Sequence, residues 1–310
     1  MRIIFMGTPE FAIPSLEGIV EAGYTVPLVV TVPDKPKGRG RSLSPSPVKV
    51  RAEELGLPVA TPESLRNPEF LEQLRAANPD VVCVVAFRIL PEEVYTIPSK
   101  GSFNLHGSLL PKYRGAAPIN RAIMAGESET GVTTFFLKSK VDTGDVILKR
   151  SIEISPDMTA GELHDEMMVV GREAVIATLR LIEAGDVVTM QQDDAEASPA
   201  PKIFREDCVI DWRKPAAELH NHIRGLSPYP GAFTFMANEQ LKVLRSSLTN
   251  GAQSEIGLLR VEGDRLFVGT GSGELELLEV QRAGKRRMTV ADFLKGVDIE
   301  KIGVLGSTEE

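Results

Sequence analysis

Short apolar runs alternate with helical patterns through the first half of the chain, and this alternation constrains the fold more than any other feature. Arg2–Met6, Val81–Phe87 and Gly101–His106 are runs of strand length. Apolar residues from Phe11 to Val20 follow the first run near helical spacing. Continuous apolar strands are typical of a parallel sheet that helices cover on both faces. We therefore predict an α/β fold class, with a Rossmann-like, mainly parallel sheet over residues 1–189.

The pattern changes in the last third of the chain. Residues 190–206 are polar, acidic and contain Pro199 and Pro201, which indicates a linker. Beyond it, one helical stretch, Pro215–Arg224, interrupts short strand-like runs that Gly and Asp turns separate. Short strands at this spacing predict a small β-barrel domain over residues 207–310. The predicted strands are Cys208–Trp212, Gly231–Met236, Gln240–Leu244, Ile256–Val261, Arg265–Val268 and Leu275–Val280.

Composition excludes several classes of protein. The 310 residues include two cysteines, Cys83 and Cys208, which lie far apart and outside any CxxC pair, so neither a disulfide framework nor a cysteine zinc site is expected. No apolar run approaches the roughly 18 residues of a membrane span. The N-terminus does not resemble a signal peptide, and we expect a cytoplasmic protein. The net charge of -8 argues against general affinity for nucleic acid, but it permits a local basic patch.

The first strand-to-helix turn, Gly7–Glu10, lacks the common phosphate-binding patterns. It has one glycine, whereas a dinucleotide site needs GxGxxG and a P-loop needs GxxxxGK followed by Ser or Thr. A nicotinamide dehydrogenase is therefore not expected, despite the fold class. A plain turn and a loop that lines a substrate site remain equally open interpretations.

A basic segment, Pro33–Arg51, interrupts the acidic chain with a charge of +5. Its Pro and Gly residues argue against regular structure until Ser46 and Pro47 begin a helix. Long irregular loops are usually functional or disordered, so the segment is either a flexible arm that contacts a polyanion or a solvated linker. The charge reversal favours the arm, because Lys and Arg are the residues that contact phosphates. Its cations are Lys35, Lys37, Arg39, Arg41, Lys49 and Arg51.

Two polar residues, Asn104 and His106, end a predicted strand on the same face. Open α/β sheets bind ligands at the carboxyl ends of their strands. His106 can act as a general base near neutral pH, and the amide of Asn104 can donate a hydrogen bond to a developing oxyanion. An arbitrary His at a strand end is more often structural, but the paired Asn and the Gly- and Pro-rich loop that follows favour a catalytic site.

A second polar cluster, Val141–Asp145, lies between the apolar runs Val132–Leu137 and Val146–Ile154. Asp and Gly are ordinary turn residues, so a hairpin turn is the simplest interpretation. Asp142 becomes a candidate catalytic residue only if the fold places it beside His106.

These segments together resemble the formyltransferases that use 10-formyltetrahydrofolate. The similarity extends from residue 2 to about residue 303, and the basic segment and the C-terminal third resemble the branch of the family that acts on methionyl-tRNA. The matching segments are Gly7–Ala12, Gly38–Arg41, Ser44–Lys49, Asn104–His106, Ser108–Pro111, Tyr113–Pro118, Asp142–Asp145 and Gly225–Ala232.

The resemblance implies a function and a set of site residues. The reaction would transfer a formyl group from 10-formyltetrahydrofolate, the co-substrate, to the α-amino group of methionine on initiator tRNA, without a metal. The enzyme is expected to work as a monomer. The C-terminal domain would be an OB-like β-barrel that binds tRNA. The implied catalytic residues are Asn104, His106 and Asp142; the implied folate contacts are Ser108, Leu109, Leu110 and Pro111; the implied tRNA contacts are Lys35, Arg39, Arg41, Lys285, Arg286 and Arg287.

Two segments depart from the family pattern. Val85–Pro91 is one residue shorter than usual, and Lys140 stands where a Gly is usual. Both resemble walls of the pterin pocket, so the resemblance does not carry over the contacts to the pterin. A sugar-nucleotide formyltransferase and an inert RNA-binding module are the alternatives. The basic segment argues against the first, and the intact Asn104, His106 and Asp142 argue against the second.

Overall fold

The computed structural model describes residues 1–37, 42–237, 239–249, 254–297, 299 and 303–306. The elements up to the long helix are β1 (Arg2–Gly7), α1 (Ile13–Glu21), β2 (Thr25–Val30), β3 (Lys35–Lys37), β4 (Ser42–Ser44), α2 (Pro47–Glu54), β5 (Val59–Ala60), α3 (Pro68–Ala76), β6 (Val81–Val85), α4 (Glu92–Tyr95), β7 (Ser102–His106), β8 (Arg114–Gly115), α5 (Pro118–Met124), β9 (Glu129–Phe136), β10 (Val146–Glu153) and α6 (Ala160–Ala184). After it come β11 (Pro199–Ala200), α7 (Ala216–Leu226), β12 (Ala232–Met236), β13 (Glu239–Leu248), β14 (Leu259–Glu262), β15 (Arg265–Gly269), β16 (Glu274–Arg282), β17 (Met288–Thr289) and α8 (Val290–Leu294).

The chain forms two compact units, each assembled from separate stretches. The first contains Met1–Gly115, Thr130–Ile152 and His164–Pro199, and the second contains Ala116–Glu129, Glu153–Leu163 and Ala200–Glu310. The domain boundaries expected from the sequence, with a linker over residues 190–206 between two domains, remain a prediction.

A seven-stranded sheet, in the order β10-β9-β7-β6-β1-β2-β5, forms the first unit. The pairs β1/β2, β1/β6, β6/β7 and β2/β5 are parallel, and β7/β9 is antiparallel. Because β1, β6 and β7 run in one direction, their carboxyl ends lie at the same edge of the sheet. The prediction of a mainly parallel sheet is confirmed.

Burial on both faces explains the apolar runs in the sequence. In β1, Ile4 and Met6 pack with Phe70 and Leu74 of α3, while Ile3 and the other residues of the strand interior are also fully buried. A strand buried on both sides cannot alternate apolar and polar residues. Helix α3 begins at Pro68, where the Asn67 side chain accepts a hydrogen bond from the Glu69 amide at 2.8 Å and so caps the helix.

The second unit contains the antiparallel sheet β12-β13-β16-β15-β14, with β17 paired to β16. Leu219 and Ile223 of α7 are fully buried in a core with Val243, Val268 and Leu275 from the strands. The predicted fold class, a mainly parallel sheet followed by a small β domain, is thus confirmed.

One predicted strand of this unit is wrong. Cys208–Trp212 is not a strand: a 3-10 turn covers Glu206–Cys208, and Val209 forms a single bridge to Phe233. Extended structure does not continue to Trp212 because Asp211 forms a local turn, in which its carboxylate accepts a hydrogen bond from the backbone N–H of Arg213 at 3.2 Å.

The basic segment also differs from its prediction. The Pro and Gly residues predict an irregular segment before Ser46, whereas β3 and β4 pair as an antiparallel ribbon, with Lys35 opposite Ser44. Pro36 is tolerated there because, within the described residues, the ribbon has two strands and no third strand needs the missing N–H of Pro36. Helix α2 begins as predicted, since the Ser46 hydroxyl accepts a hydrogen bond from the Lys49 amide at 3.1 Å.

Residues 190–206 form more contacts than a free linker would. A 3-10 turn covers Asp194–Glu196, β11 pairs with β8, and Ala200 is fully buried. Within the described ranges, no helix is long and apolar enough to cross a membrane.

Candidate active site

Strand β7 brings the first two predicted catalytic residues to the carboxyl edge of the sheet. Asn104 lies between Val84 of β6 and Phe135 of β9, and His106 lies opposite Thr133 of β9. His106 is buried and Asn104 is partly buried. Because the two residues are separated by one position of an extended strand, their side chains lie on the same face.

The loop after β7 fixes the ring of His106. Its Nε2 lies 2.9 Å from the carbonyl oxygen of Tyr113. A carbonyl can only accept, so Nε2 carries the hydrogen and donates it, and Nδ1 is left for the site. Tyr113 reaches this position with φ +60°, in the left-handed region. Loop and ring therefore define one tautomer of the neutral imidazole.

Asp142 is brought to the same place by the turn after β9. Its Oδ2 accepts a hydrogen bond from the Gly115 amide at 3.0 Å and lies 3.9 Å from Nδ1 of His106. At 3.9 Å the two groups do not hydrogen-bond directly, but the gap suits a bridging water or a substrate atom. The fold thus meets the condition that makes Asp142 a candidate catalytic residue.

The turn that carries Asp142 requires its glycine. A Cβ at Gly144 would lie 1.5 Å from the carbonyl oxygen of Phe136, so no side chain fits. Asp142 itself has φ +54°, a conformation that residues with a Cβ rarely adopt. Both observations explain the sequence Asp142–Asp145 in terms of a tight turn against the end of β9.

The amide of Asn104 is free for a ligand. Across the described ranges, no hydrogen bond engages its side chain, although the residue is partly buried beside His106. Its amide atoms are not buried, so water solvates them until a ligand binds. A solvent-accessible donor on the same strand face as His106 is an arrangement that suits an oxyanion-binding site.

The polar groups of the predicted folate segment, Ser108–Pro111, form hydrogen bonds mainly within the protein. Ser108 is fully buried, and its hydroxyl donates to the carbonyl oxygen of Lys112 at 2.6 Å. Thr133 accepts from the Leu110 amide at 3.1 Å and donates to the Ser108 carbonyl at 2.7 Å. Leu110 is fully buried, while Leu109 is partly exposed. The side chains of Ser108 and Leu110 therefore shape the loop, and folate contact at Ser108–Pro111 stays a prediction.

The two departures from the family pattern have defined contacts. The Arg88 guanidinium donates to the carbonyl oxygens of Pro62 and Glu63 at 2.8 and 2.9 Å. Burial lowers the pKa of that guanidinium. Lys140 is exposed, and its Nζ lies 4.0 Å from Asp194 Oδ2. Arg88 thus anchors the shortened segment, whereas Lys140 faces an acidic residue of the 190–206 segment.

The sequence interpretation missed three residues that support the site. Arg114, whose side chain is largely buried, donates hydrogen bonds to Gln192 and Asp194. The hydrogen bond from Arg114 lowers the pKa of Asp194. Arg114 stands inside the Tyr113–Pro118 match, which was a usable signal. Gln192 stands in the polar segment that the sequence indicates to be a linker, where nothing in the sequence distinguishes it.

The predicted tRNA contacts have separate locations. Lys35 is exposed in β3, whereas Arg39 and Arg41 lie outside the described residues. Two other cations of the basic segment form ion pairs. Lys49 pairs with Asp34, and Arg51 pairs with both Glu17 and Glu54. These pairs reduce the free charge of the segment.

The other predicted cations belong to the second unit. Lys285, Arg286 and Arg287 are exposed in the turn between β16 and β17. The pKa of Asp292 is lowered, mainly by the hydrogen bond from Lys295 and to a smaller extent by the charge of Arg286. The described residues contain no cluster of three His, Cys, Asp or Glu side chains that could hold a metal ion.

The sequence matches two family models and many relatives. The formyl transferase model matches residues 1–179, and the formyl transferase C-terminal domain model matches residues 202–298. A methionyl-tRNA formyltransferase of Citrifermentans bemidjiense is 45% identical over 310 residues, covering 100% of this chain and 98% of the relative. One of Caldanaerobacter subterraneus is 46% identical over 308 residues, covering 98% and 100%.

A solved structure supports the fold. The N-formyltransferase of Helicobacter canadensis, in complex with folinic acid and dTDP-3-aminofucose, matches with a TM-score of 0.69 and 21% identity. The match covers 90% of this chain and 98% of that protein.

Proposed function

The chain belongs to the formyl transferase family, and from this premise we propose which residues transfer the formyl group and from which donor. The enzyme formylates methionine on initiator tRNA, for the initiation of protein synthesis. The donor is 10-formyltetrahydrofolate, and the catalytic residues are Asn104, His106 and Asp142. The enzyme acts in the cytoplasm as a monomer.

One observation supports these roles above the others. The Asn104 amide, which forms no hydrogen bond within the described residues, lies on the same strand face as His106, and Nδ1 of His106 is 3.9 Å from the Asp142 carboxylate. Nucleophilic attack on a formyl carbon places negative charge on its oxygen, and a site for that charge needs hydrogen-bond donors already in place. Asn104 supplies one donor without breaking any contact among the described residues. His106 supplies the second when Nδ1 is protonated, because its Nε2–H is committed to Tyr113.

The steps balance without a protein nucleophile. The neutral α-amino group of methionine attacks the formyl carbon and forms the C–N bond of the product. Asn104 and protonated His106 donate hydrogen bonds to the oxygen of the tetrahedral intermediate. Asp142 accepts the proton that the amine loses, through a water in the gap beside His106. The intermediate collapses when the bond to folate N10 breaks, and N10 takes up the proton that Asp142 had accepted, so the carboxylate is regenerated.

Cations on both units would contact the tRNA. Lys35, Arg39 and Arg41 of the basic segment contact the acceptor end, and Lys285, Arg286 and Arg287 contact backbone phosphates. The exposure of Lys35 and of the turn between β16 and β17 supports this assignment, since phosphate contacts require solvent-accessible cations.

The proposal is tested by transfer of a radiolabelled formyl group. Removal of a single oxyanion donor costs about 10²–10³ in turnover in other enzymes. We expect Asn104→Ala, His106→Ala and Asp142→Ala each to lose at least that factor of kcat, with tRNA binding near that of the unchanged enzyme. A variant that kept full turnover would remove that residue from the mechanism.

A parallel assay addresses the alternative activities. Charged initiator tRNA and amino-sugar nucleotides are offered separately, with 10-formyltetrahydrofolate as the donor. Formylation of the sugar nucleotide alone would favour the sugar-nucleotide formyltransferase. Binding of tRNA without any transfer would favour an inert RNA-binding module.

A further inference from the structure

The first residues of the 190–206 segment lie across the turn that carries Asp142. Met190 and Val146 exchange two backbone hydrogen bonds, at 2.8 and 2.9 Å, where β10 begins. Two residues later, the side chain of Gln192 reaches the turn itself. A segment that the sequence indicates to be a linker therefore forms part of the wall behind the site.

The amide of Gln192 is fully used by this contact. Its Nε2 donates to the carbonyl oxygens of Asp142 at 3.0 Å and Gly144 at 2.8 Å. Its Oε1 accepts two hydrogen bonds from Arg114, at 3.1 and 2.8 Å. A guanidinium only donates and a carbonyl only accepts, so these neighbours define the orientation of the amide.

Arg114 and Asp142 are also linked through the chain. Arg114 and Gly115 form β8, and the Gly115 amide donates to the Asp142 carboxylate at 3.0 Å. Gln192 thus connects the backbone of the Asp142 turn to the strand that holds the Asp142 carboxylate. The left-handed conformation of Asp142 needs such support, because it is rarely adopted without constraint from the surroundings.

We propose that Gln192, held by Arg114, is a positioning residue that keeps the Asp142 carboxylate at its distance from His106. The inference rests on the proposed catalytic role of Asp142. Gln192 itself touches neither the reacting atoms nor His106 in this account. Its loss should let the turn shift, and a misplacement of about 1 Å in an active site can cost roughly 10²-fold in rate.

Three substitutions test the inference in the full-length enzyme. Gln192→Ala removes the hydrogen bonds to the Asp142 and Gly144 carbonyl oxygens and also the acceptor for Arg114. Gln192→Glu keeps an acceptor for Arg114 but places carboxylate oxygens against two carbonyls, so it loses the donor half. Gln191→Ala is the matched control, because Gln191 is the exposed neighbour and no hydrogen bond engages it within the described residues.

We expect both Gln192 variants to lose about 10- to 10²-fold in kcat, with little change in KM for tRNA, and Gln191→Ala to match the unchanged enzyme. If Gln192→Ala does not fold, Gln192→Glu gives the same measurement. Full kcat in a folded Gln192→Glu variant would overturn the inference.

A double-mutant cycle separates positioning from a general structural effect. In an Asp142→Ala background, Gln192→Glu should cost less than twofold, because the group it positions is gone. An undiminished loss in that background would overturn the positioning role. If Asp142→Ala alone kept full turnover, the proposed mechanism would fail first. Loss in Asp142→Ala with full activity in both Gln192 variants would refute only this inference.

Discussion

Substitution of Gly144 by Ala should disable the enzyme through geometry, without removing any catalytic group. The added Cβ would lie 1.5 Å from the carbonyl oxygen of Phe136, and real Cβ atoms essentially never approach closer than 3.0 Å. The turn must therefore move by about 1.5 Å, two residues from Asp142. Because an error of about 1 Å can cost roughly 10²-fold in rate, we expect kcat to fall by at least about 10²-fold.

The assay is formyl transfer to charged initiator tRNA, with tRNA binding and thermal unfolding measured on the same preparations. Gly296→Ala is the control, since among the described atoms outside its chain neighbours the nearest to the added Cβ is the Phe293 carbonyl oxygen at 4.0 Å. We expect that variant to keep full activity. A folded Gly144→Ala enzyme with full kcat would show that the position of the Asp142 turn does not matter for the reaction.

Three further outcomes are expected. Burial lowers the pKa of His222 from 6.5 to about 4, so the stability that is present above pH 6.5 is lost as the pH falls towards 4. Urea unfolding at pH 4.5 should therefore show a free energy of unfolding that is roughly 2–3 kcal/mol lower than at neutral pH, and the His222→Gln variant should not show this loss. An equal loss in both proteins would contradict the prediction. Trypsin should cut at the exposed Lys202 or Arg205, which leaves α5 on one fragment and α7 on the other. Because both helices belong to one compact unit, the two fragments should co-elute in size-exclusion chromatography, and separate elution would contradict that unit. Arg39→Lys should lower turnover with tRNA more than it weakens binding, because ammonium cannot form the planar bidentate contacts of guanidinium; equal losses would leave only a general field effect.

Local patterns determined the secondary structure of much of the protein. Ser46 begins its helix as predicted, and Asn67 caps α3 in the same way, because a cap is a contact within a few residues. The same holds for Thr159 and Glu162, whose side chains exchange hydrogen bonds with each other's backbone at the start of α6. The apolar runs gave the parallel strands, because a strand buried on both faces has no polar position to spare.

Local patterns misled where a distant partner or a polar neighbour decided the outcome. Cys208–Trp212 has the composition of a strand, but Asp211 turns the chain. The basic segment has turn residues, but pairing between Lys35 and Ser44 makes it a ribbon.

The active site divides in the same way. Asn104 and His106 could be paired from the sequence because strand alternation places positions i and i+2 on one face. Asp142 could be added only through resemblance, since 36 positions separate it from His106 and its sequence is that of an ordinary turn. Tertiary structure alone brought Oδ2 to 3.9 Å from the imidazole and placed Gln192 behind the turn. Periodicity and capping act over a few residues, whereas contacts between distant segments depend on how the whole sheet assembles.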